Sequence, residues 1–339
     1  MKKYVSLALA LALSFSLVGC GTDAAAQKEN AASNTNTEVE ATSDVAKTYN
    51  VGVIQLVQHP ALDAATEGFE AALKEKLGDN VTVTIENASG DNATCATIAN
   101  TFVSDNVDLI MANATPALQA AATATNSIPI VATSITDYAT ALDIADWNGA
   151  TGVNVTGTSD LAPLDGQAEM LHTLFADAKE VGLIYCSGEK NSLYQAKKIT
   201  EYLEGYGYNV TDYTFADSAD VATVVQTACG SSDVLYVPTD NVAANAAETI
   251  NNVALTAGVP IVAGEEGICK GCGIATLSIS YYDIGYNAGL MAYEILVNGQ
   301  DPATFDIQYA SDFTKEYNKA IADKLGIAIP DDYVEIEME

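Results

Sequence analysis

The strongest constraint on this chain is that it repeats itself. Val51-Gly52-Val53-Ile54-Gln55 returns 130 residues later as Val181-Gly182-Leu183-Ile184-Tyr185, and Val107-Asp108-Leu109-Ile110 returns as Ser232-Asp233-Val234-Leu235. Ile128-Pro129-Ile130-Val131-Ala132 returns, 131 residues on, as Val259-Pro260-Ile261-Val262-Ala263. Each apolar run is short enough for a buried strand. Between the runs lie segments with helical spacing, such as Ala61 to Leu77, where Leu62, Phe69, Leu73 and Leu77 share a face. Strands at Val81 to Ile85 and Val107 to Met111 alternate with helices at Thr94 to Val103 and Pro116 to Ala124. Such β-α-β alternation predicts a parallel sheet with helices on both faces. Written twice, it predicts an α/β protein of two similar lobes.

Open α/β sheets bind ligands beyond the C-terminal edges of their strands. The repeat therefore pairs the candidate positions. Gln55, Gln58 and His59 follow the first strand of one lobe; Ser187, Glu189, Asn191 and Ser192 follow its counterpart. Asn113 and Thr115 match Thr239, Asp240 and Asn241. Thr133, Ser134 and Asp137 match Glu265 and Glu266. The stretch YVPTDNVAAN (residues 236–245) shows the pattern at its plainest: a buried strand ends at a proline and exposes a carboxylate before the next helix. Two roles compete for these residues. Ser, Thr, Asp and Asn at helix starts cap orphan N–H groups, while the same side chains at a cleft rim hold a ligand.

Composition narrows the ligand chemistry. The 339 residues carry 45 acidic and 14 basic side chains, for a net charge of −31, and every basic residue is lysine. So acidic a chain repels phosphate backbones, which excludes nucleic acid as a partner. Without arginine there is no bidentate fork for a carboxylate. An anionic ligand group is expected on hydroxyls, amides and helix N-termini, with Thr115, Ser134, Asn191 and Ser192 as candidates. An ammonium is expected on Asp240, assisted by Asn241 or Glu189.

Lys2 and Lys3 precede an apolar stretch from Tyr4 to Val18 and then Gly19-Cys20. The stretch is short for a membrane span and suits a signal peptide. Leu17-Val18-Gly19-Cys20 resembles the bacterial lipobox, which implies lipidation of Cys20 after loss of residues 1–19. Residues 20–48, rich in Ala, Asn, Thr and Ser, read as lipidated cysteine and flexible tether. The expected location is the extracytoplasmic face of the cell membrane, anchored by lipid alone.

Six blocks in order, GVIQLVQHPALDAATEGFEAAL, NATPALQAAA, VTGTSD, GEKNSLYQ, YVPTDN and ISYYDIGYNAG, resemble the ABC-transporter substrate-binding lipoproteins of the tryptophan/tyrosine-binding type. The resemblance spans residues 50 to 310. It implies a type I periplasmic-binding-protein fold with three hinge crossovers, near Thr158 to Pro163, Leu277 to Tyr282 and Pro302 to Asp312. Lobe 1 is then 49–160 plus 282–305, and lobe 2 is 161–281 plus 306–339. Asp160, in the first hinge, is implied to face the ligand. The implied function is the solute-binding component of an ABC importer, a monomer working with a permease and its ATPase and taking an amino acid, aromatic by preference. The alternative is a lipoprotein binding or sensing another small ligand, such as a nucleoside. The chain departs from the family in having Asp137-Tyr138 where Asp-Pro is common, and in Cys269-Lys270-Gly271-Cys272.

No catalytic motif accompanies His59: there is no G-x-S-x-G elbow and no glycine-rich phosphate loop. Neither an enzyme nor a cofactor is expected. Metal is not expected either, since His59 and His172 are the only histidines to supplement the cysteines. His172, on a helix from Gln167 to Phe175, is read as structural. Cys269 and Cys272 are left as either a local disulfide or two free thiols.

Overall fold

The computed structural model describes residues 47–338; Cys20, the leader and most of the tether lie outside the described residues. The first sheet takes β1 (Tyr49–Gln55), β2 (Val81–Asn87), β3 (Leu109–Asn113), β4 (Ile130–Ile135) and β5 (Val155–Ser159). The second takes β6 (Glu180–Cys186), β7 (Asn209–Phe215), β8 (Val234–Val237), β9 (Ile261–Ala263) and β10 (Ala275–Ser278). Chain ends complete the edges: β11 (Gln308–Tyr309) joins the first sheet, and β12 (Thr314–Tyr317) and β13 (Val334–Glu335) join the second. The orders are β11-β5-β4-β3-β1-β2 and β13-β12-β10-β9-β8-β6-β7. Strand for strand, the central orders are the same, as the sequence repeat requires. All pairings are parallel except β10 with β12.

Helices cover both faces of each sheet. In the first half they are α1 (Pro60–Leu77), α2 (Asn92–Ser104), α3 (Thr115–Ala124) and the short α4 (Tyr138–Ala141). The second half has α5 (Leu164–Leu174), α6 (Lys190–Gly205), α7 (Val221–Cys229), α8 (Asn241–Asn245), α9 (Ala247–Ala257) and α10 (Glu266–Gly271). Then come α11 (Tyr281–Asn298) and α12 (Lys319–Leu325). Alternate residues of each strand enter opposite cores. Val51 and Val53 pack with Phe69 and Met291, whereas Ile54 packs with Phe102 and Leu118. In the second lobe Leu235 and Val237 face one core, and Val234 and Tyr236 the other.

The chain passes between the sheets three times: after β5, after β10 and between β11 and β12. Residues 308–309 therefore pair in the first sheet, beside Thr158 and Ser159. The division at 305/306 read from the sequence falls a few residues early, because a two-residue edge strand carries no apolar signal. Helix α11 returns to the first lobe because glycine lets it approach α1 backbone to backbone. A Cβ at Gly285 would lie 2.0 Å from the Ala65 carbonyl oxygen, and one at Gly68 would lie 2.1 Å from that of Tyr282. That contact sets the first residue of α11, Tyr281, at the hinge.

Tyr138 is buried and shares its hydroxyl hydrogen between Ala132 O (2.9 Å) and Thr158 O (3.1 Å). It ties β4 to β5. His172 stacks on Tyr206, with centroids 4.4 Å apart, and bonds Tyr208 through Nδ1, a packing role. Cys269 and Cys272 are free, buried thiols in and just after α10. Trp147 packs on the first-lobe core.

Candidate functional site

Strand ends of both sheets meet in a narrow cavity of about 10 Å³, about the room of one water molecule. The first lobe contributes His59 and Leu62 from the start of α1, and Ser134 and Thr136 from the end of β4. The second contributes Asn191, Thr239, Asp240, Asn241, Ala244, Glu265 and Ile268. Asp160 and Tyr281 close it from two of the hinge crossings. No lysine lines it.

Eight of the residues singled out in the sequence are brought together here: His59, Ser134, Asp160, Asn191, Thr239, Asp240, Asn241 and Glu265. Others are placed elsewhere. Gln55 turns away to bond Val57 O and Asp63, and accepts from Thr66. Asn113 bolts β3 to α1 through Leu62 O and Thr66 Oγ1. Thr115 is buried in the first turn of α3, off the cavity wall. Ser187 is exposed and donates to Phe215 O. Ser192 stands behind the wall, donating to Asp240 Oδ2 at 2.6 Å. Glu189 stands behind it too. Its carboxylate accepts from the backbone N–H of Asn241 (3.2 Å) and Val242 (3.1 Å) and from the amides of Asn191 (2.9 Å) and Asn241 (2.6 Å). A residue that looks like a poor cap in sequence thus caps α8 from another helix.

Capping and cavity-lining prove compatible. Asp240 caps α8 through Ala243 N (2.8 Å) and also accepts from Cys186 N at 2.6 Å. With Ser192 that makes three donors on one carboxylate. Glu265 caps α10 through Gly267 N (2.6 Å) and Ile268 N. Asp160 is different: it caps nothing. Thr136 Oγ1 donates to its Oδ1 at 3.1 Å and Tyr281 to its Oδ2 at 3.0 Å.

Burial raises all three carboxyls, with Asp160 pushed up to about 6 and Glu265 to about 7. Asp240 is raised first by burial and then by the charge of Glu189. None of the three has a salt-bridge partner among the described residues. A buried carboxylate without a cation is unstable in the charged form and gains when a cation enters.

Three other wall atoms are buried without a hydrogen-bond partner: His59 Nδ1, Ser134 Oγ and Asn191 Oδ1. Ser134 also holds φ at 58°, a left-handed backbone at a non-glycine position, the kind of strain found at ligand clamps. Burial holds the His59 imidazole below its ordinary range, opposed by its contact with Asn241. The wall residues passed over in the sequence are Leu62, Thr136, Ala244, Ile268 and Tyr281. Leu62, Ala244 and Ile268 lie within the first helical turns after strand ends, where an apolar residue looks like core. No group of three or more metal-ligating side chains converges among the described residues.

The lobes touch across the cleft at side chains. Gln195 Nε2 of α6 donates to Thr136 Oγ1 at 3.2 Å, and Lys190 pairs with Asp143 at 2.8 Å. His59 Nε2 lies 3.4 Å from Asn241 Oδ1.

A family model described as ABC transporter substrate binding protein matches residues 50–337. A tyrosine-binding protein from Clostridioides difficile is 39% identical over 271 residues, covering 79% of this chain and 78% of the relative. A crystal structure of an ABC domain in complex with L-Trp, from Streptococcus pneumonia, superposes with a TM-score of 0.80 at 31% identity, over 84% of this chain and 97% of that one. The ligand-free, open structure of a substrate binding protein with adhesive properties from Clostridium difficile gives a TM-score of 0.66 at 34% identity, over 86% and 100%. Fold and family alike are those of solute-binding proteins, not enzymes. With two parallel-sheet lobes around a hinge-floored cavity and a family match running the length of both, this chain belongs to the ABC transporter substrate binding proteins.

Proposed function

We propose that the protein is the lipid-anchored, extracytoplasmic solute receptor of an ABC importer and that its ligand is an amino acid with an aromatic side chain. The observation that carries this reading is Asp160: a buried carboxylate on the cavity wall, held by two hydroxyls, with no cation and no capping duty. An α-ammonium supplies the missing charge. Ser134 lies at the end of β4, the neighbour of β5 in the sheet, so its free hydroxyl stands next in line for the α-carboxylate. The side chain then runs outward past Leu62, Ala244 and Ile268. The tyrosine named for one relative and the L-Trp bound by another support an aromatic ligand. The higher TM-score to the L-Trp complex than to the open structure, at similar identity, supports a receptor whose lobes close around what they bind.

Calorimetric titration of the purified protein with the proteinogenic amino acids and with nucleosides tests the ligand class. Tyrosine or tryptophan should bind most tightly; a nucleoside binding in preference to every amino acid refutes the reading. The anchor rests on the sequence Leu17-Val18-Gly19-Cys20. Cys20→Ser should move the protein from the membrane fraction to the medium or periplasm.

A further inference from the structure

Glu189 does not line the cavity, yet it orients what does. A carboxylate only accepts, so the two amides bonded to it must both present nitrogen to it. The carbonyl oxygens of Asn191 and Asn241 therefore point away from Glu189. Asn191 Oδ1 is left buried on the cavity wall without a partner. Asn241 Oδ1 faces His59 Nε2 at 3.4 Å, and since that oxygen accepts, Nε2 carries the proton. In a neutral imidazole the other nitrogen is then an acceptor. His59 Nδ1 is also buried without a partner. Both wall atoms fixed by Glu189 are thus acceptors, and both seek a donor.

Their place in the cleft says which donor. His59 follows β1, and Asp160 follows β5; two strands, β3 and β4, lie between them. At about 4.8 Å per strand the two residues mark opposite ends of the cavity, roughly 14 Å of sheet apart. With the α-ammonium at the hinge, the far end of the ligand comes to His59.

We propose that Glu189 is a positioning residue that makes His59 Nδ1 and Asn191 Oδ1 a pair of hydrogen-bond acceptors, and that this pair selects aromatic amino acids bearing a distal donor, the phenol O–H or the indole N–H, over phenylalanine. This rests on the amino-acid reading above and adds the selection within it. Discrimination of this kind is steep because a ligand without the donor leaves buried polar atoms unpaired.

The test titrates the purified protein with L-tyrosine, L-phenylalanine and 3-(4-pyridyl)-L-alanine, which places an acceptor where tyrosine has its O–H. The imidazole ¹⁵N shifts of the tyrosine-saturated protein are recorded alongside, with only His59 and His172 to assign. Wild type should prefer tyrosine over phenylalanine by at least about tenfold, disfavour the pyridyl compound further, and show His59 neutral with the proton on Nε2. In Glu189→Gln the side-chain amide can donate to Asn241 and turn it over, so the tyrosine-to-pyridyl ratio should fall at least about tenfold. Equal binding of phenylalanine and tyrosine by wild type overturns the selection while leaving the amino-acid reading intact, as does a His59 proton on Nδ1. An unchanged ratio in Glu189→Gln removes its positioning role. If none of the three amino acids binds, the amino-acid reading fails and takes this inference with it. Should Glu189→Gln not fold, the wild-type ratios and shifts decide alone.

Discussion

Tyr281 donates its phenol hydrogen to Asp160 Oδ2 across 3.0 Å, joining two separate hinge crossings at one buried carboxylate. Thr136 meets the other oxygen, and Gln195 reaches Thr136 from the opposite lobe. A hydrogen-bonded line thus runs from the hinge across the cleft and passes the candidate ammonium site. Ligand charge and lobe closure converge on the same residue.

Asp160→Asn keeps the shape and removes the charge; one hydroxyl still donates to the amide oxygen, and the other rotates to accept from the N–H₂. Affinity for the amino-acid ligand should fall by about 2–4 kcal/mol, as for a buried cation losing its partner, while the denaturation midpoint of the free protein holds or rises. Unchanged calorimetric affinity would remove Asp160 from the ammonium site.

Asp240 now answers differently from the expectation drawn from its sequence position. Its two oxygens receive Ala243 N, Cys186 N and Ser192 Oγ. An asparagine there must turn an N–H₂ toward at least one of these donors. Asp240→Asn should therefore cost about 1–3 kcal/mol of fold stability, read by urea titration, with a smaller change in affinity than Asp160→Asn. The opposite ranking of the two affinities would restore Asp240 as the ammonium partner.

The fold was legible because parallel β-α-β units leave a period in the sequence, and here the period occurs twice. Val51 to Gln55 and Val181 to Tyr185 declare equivalent buried strands without reference to anything else. Strand ends followed at once, and with them eight wall residues. Legibility stopped at side-chain direction. Glu189 and Asn191 are two residues apart at one strand-helix junction, and one faces the cavity while the other faces the α8 backbone. Tyr281 was hidden for another reason: what brings it to the hinge is the close approach of α11 to α1 through Gly68 and Gly285, a contact between segments over 200 residues apart.

Closure should depend more on the buried latch than on the exposed one. Gln195 is buried and holds both Thr136 and the Thr239 backbone. Lys190 is half-exposed and Asp143 exposed, at 36% and 82% of their side-chain surface, where an ion pair contributes at most about 1 kcal/mol. Gln195→Ala should weaken ligand binding by about 1–2 kcal/mol, the scale for stranding buried polar partners. Lys190→Ala should change it by less than about 1 kcal/mol. Small-angle scattering should show wild type contracting on saturation. Equal effects of the two substitutions would mean that the Gln195 bridge is not what holds the lobes shut.

The last prediction concerns pH. Burial pushes Asp160 up to about 6 and Glu265 up to about 7, and raises Asp240 as well, against ordinary carboxyl values near 4. Between those limits the folded, ligand-free protein binds more protons than the unfolded chain, so its stability should fall as pH rises from about 4.5 to 7.5. A ligand ammonium prefers the ionised form of Asp160. Affinity should consequently climb with pH through about 6 and level off above 7, and binding near pH 6 should release protons. His59, held below its ordinary range by burial, is already neutral across the upper part of this window and adds little there. Calorimetry in two buffers of different ionisation enthalpy measures the proton count directly. Proton uptake on binding at pH 6, or an affinity that falls between pH 5 and 7, contradicts the assignment of Asp160 as the group that receives the ammonium.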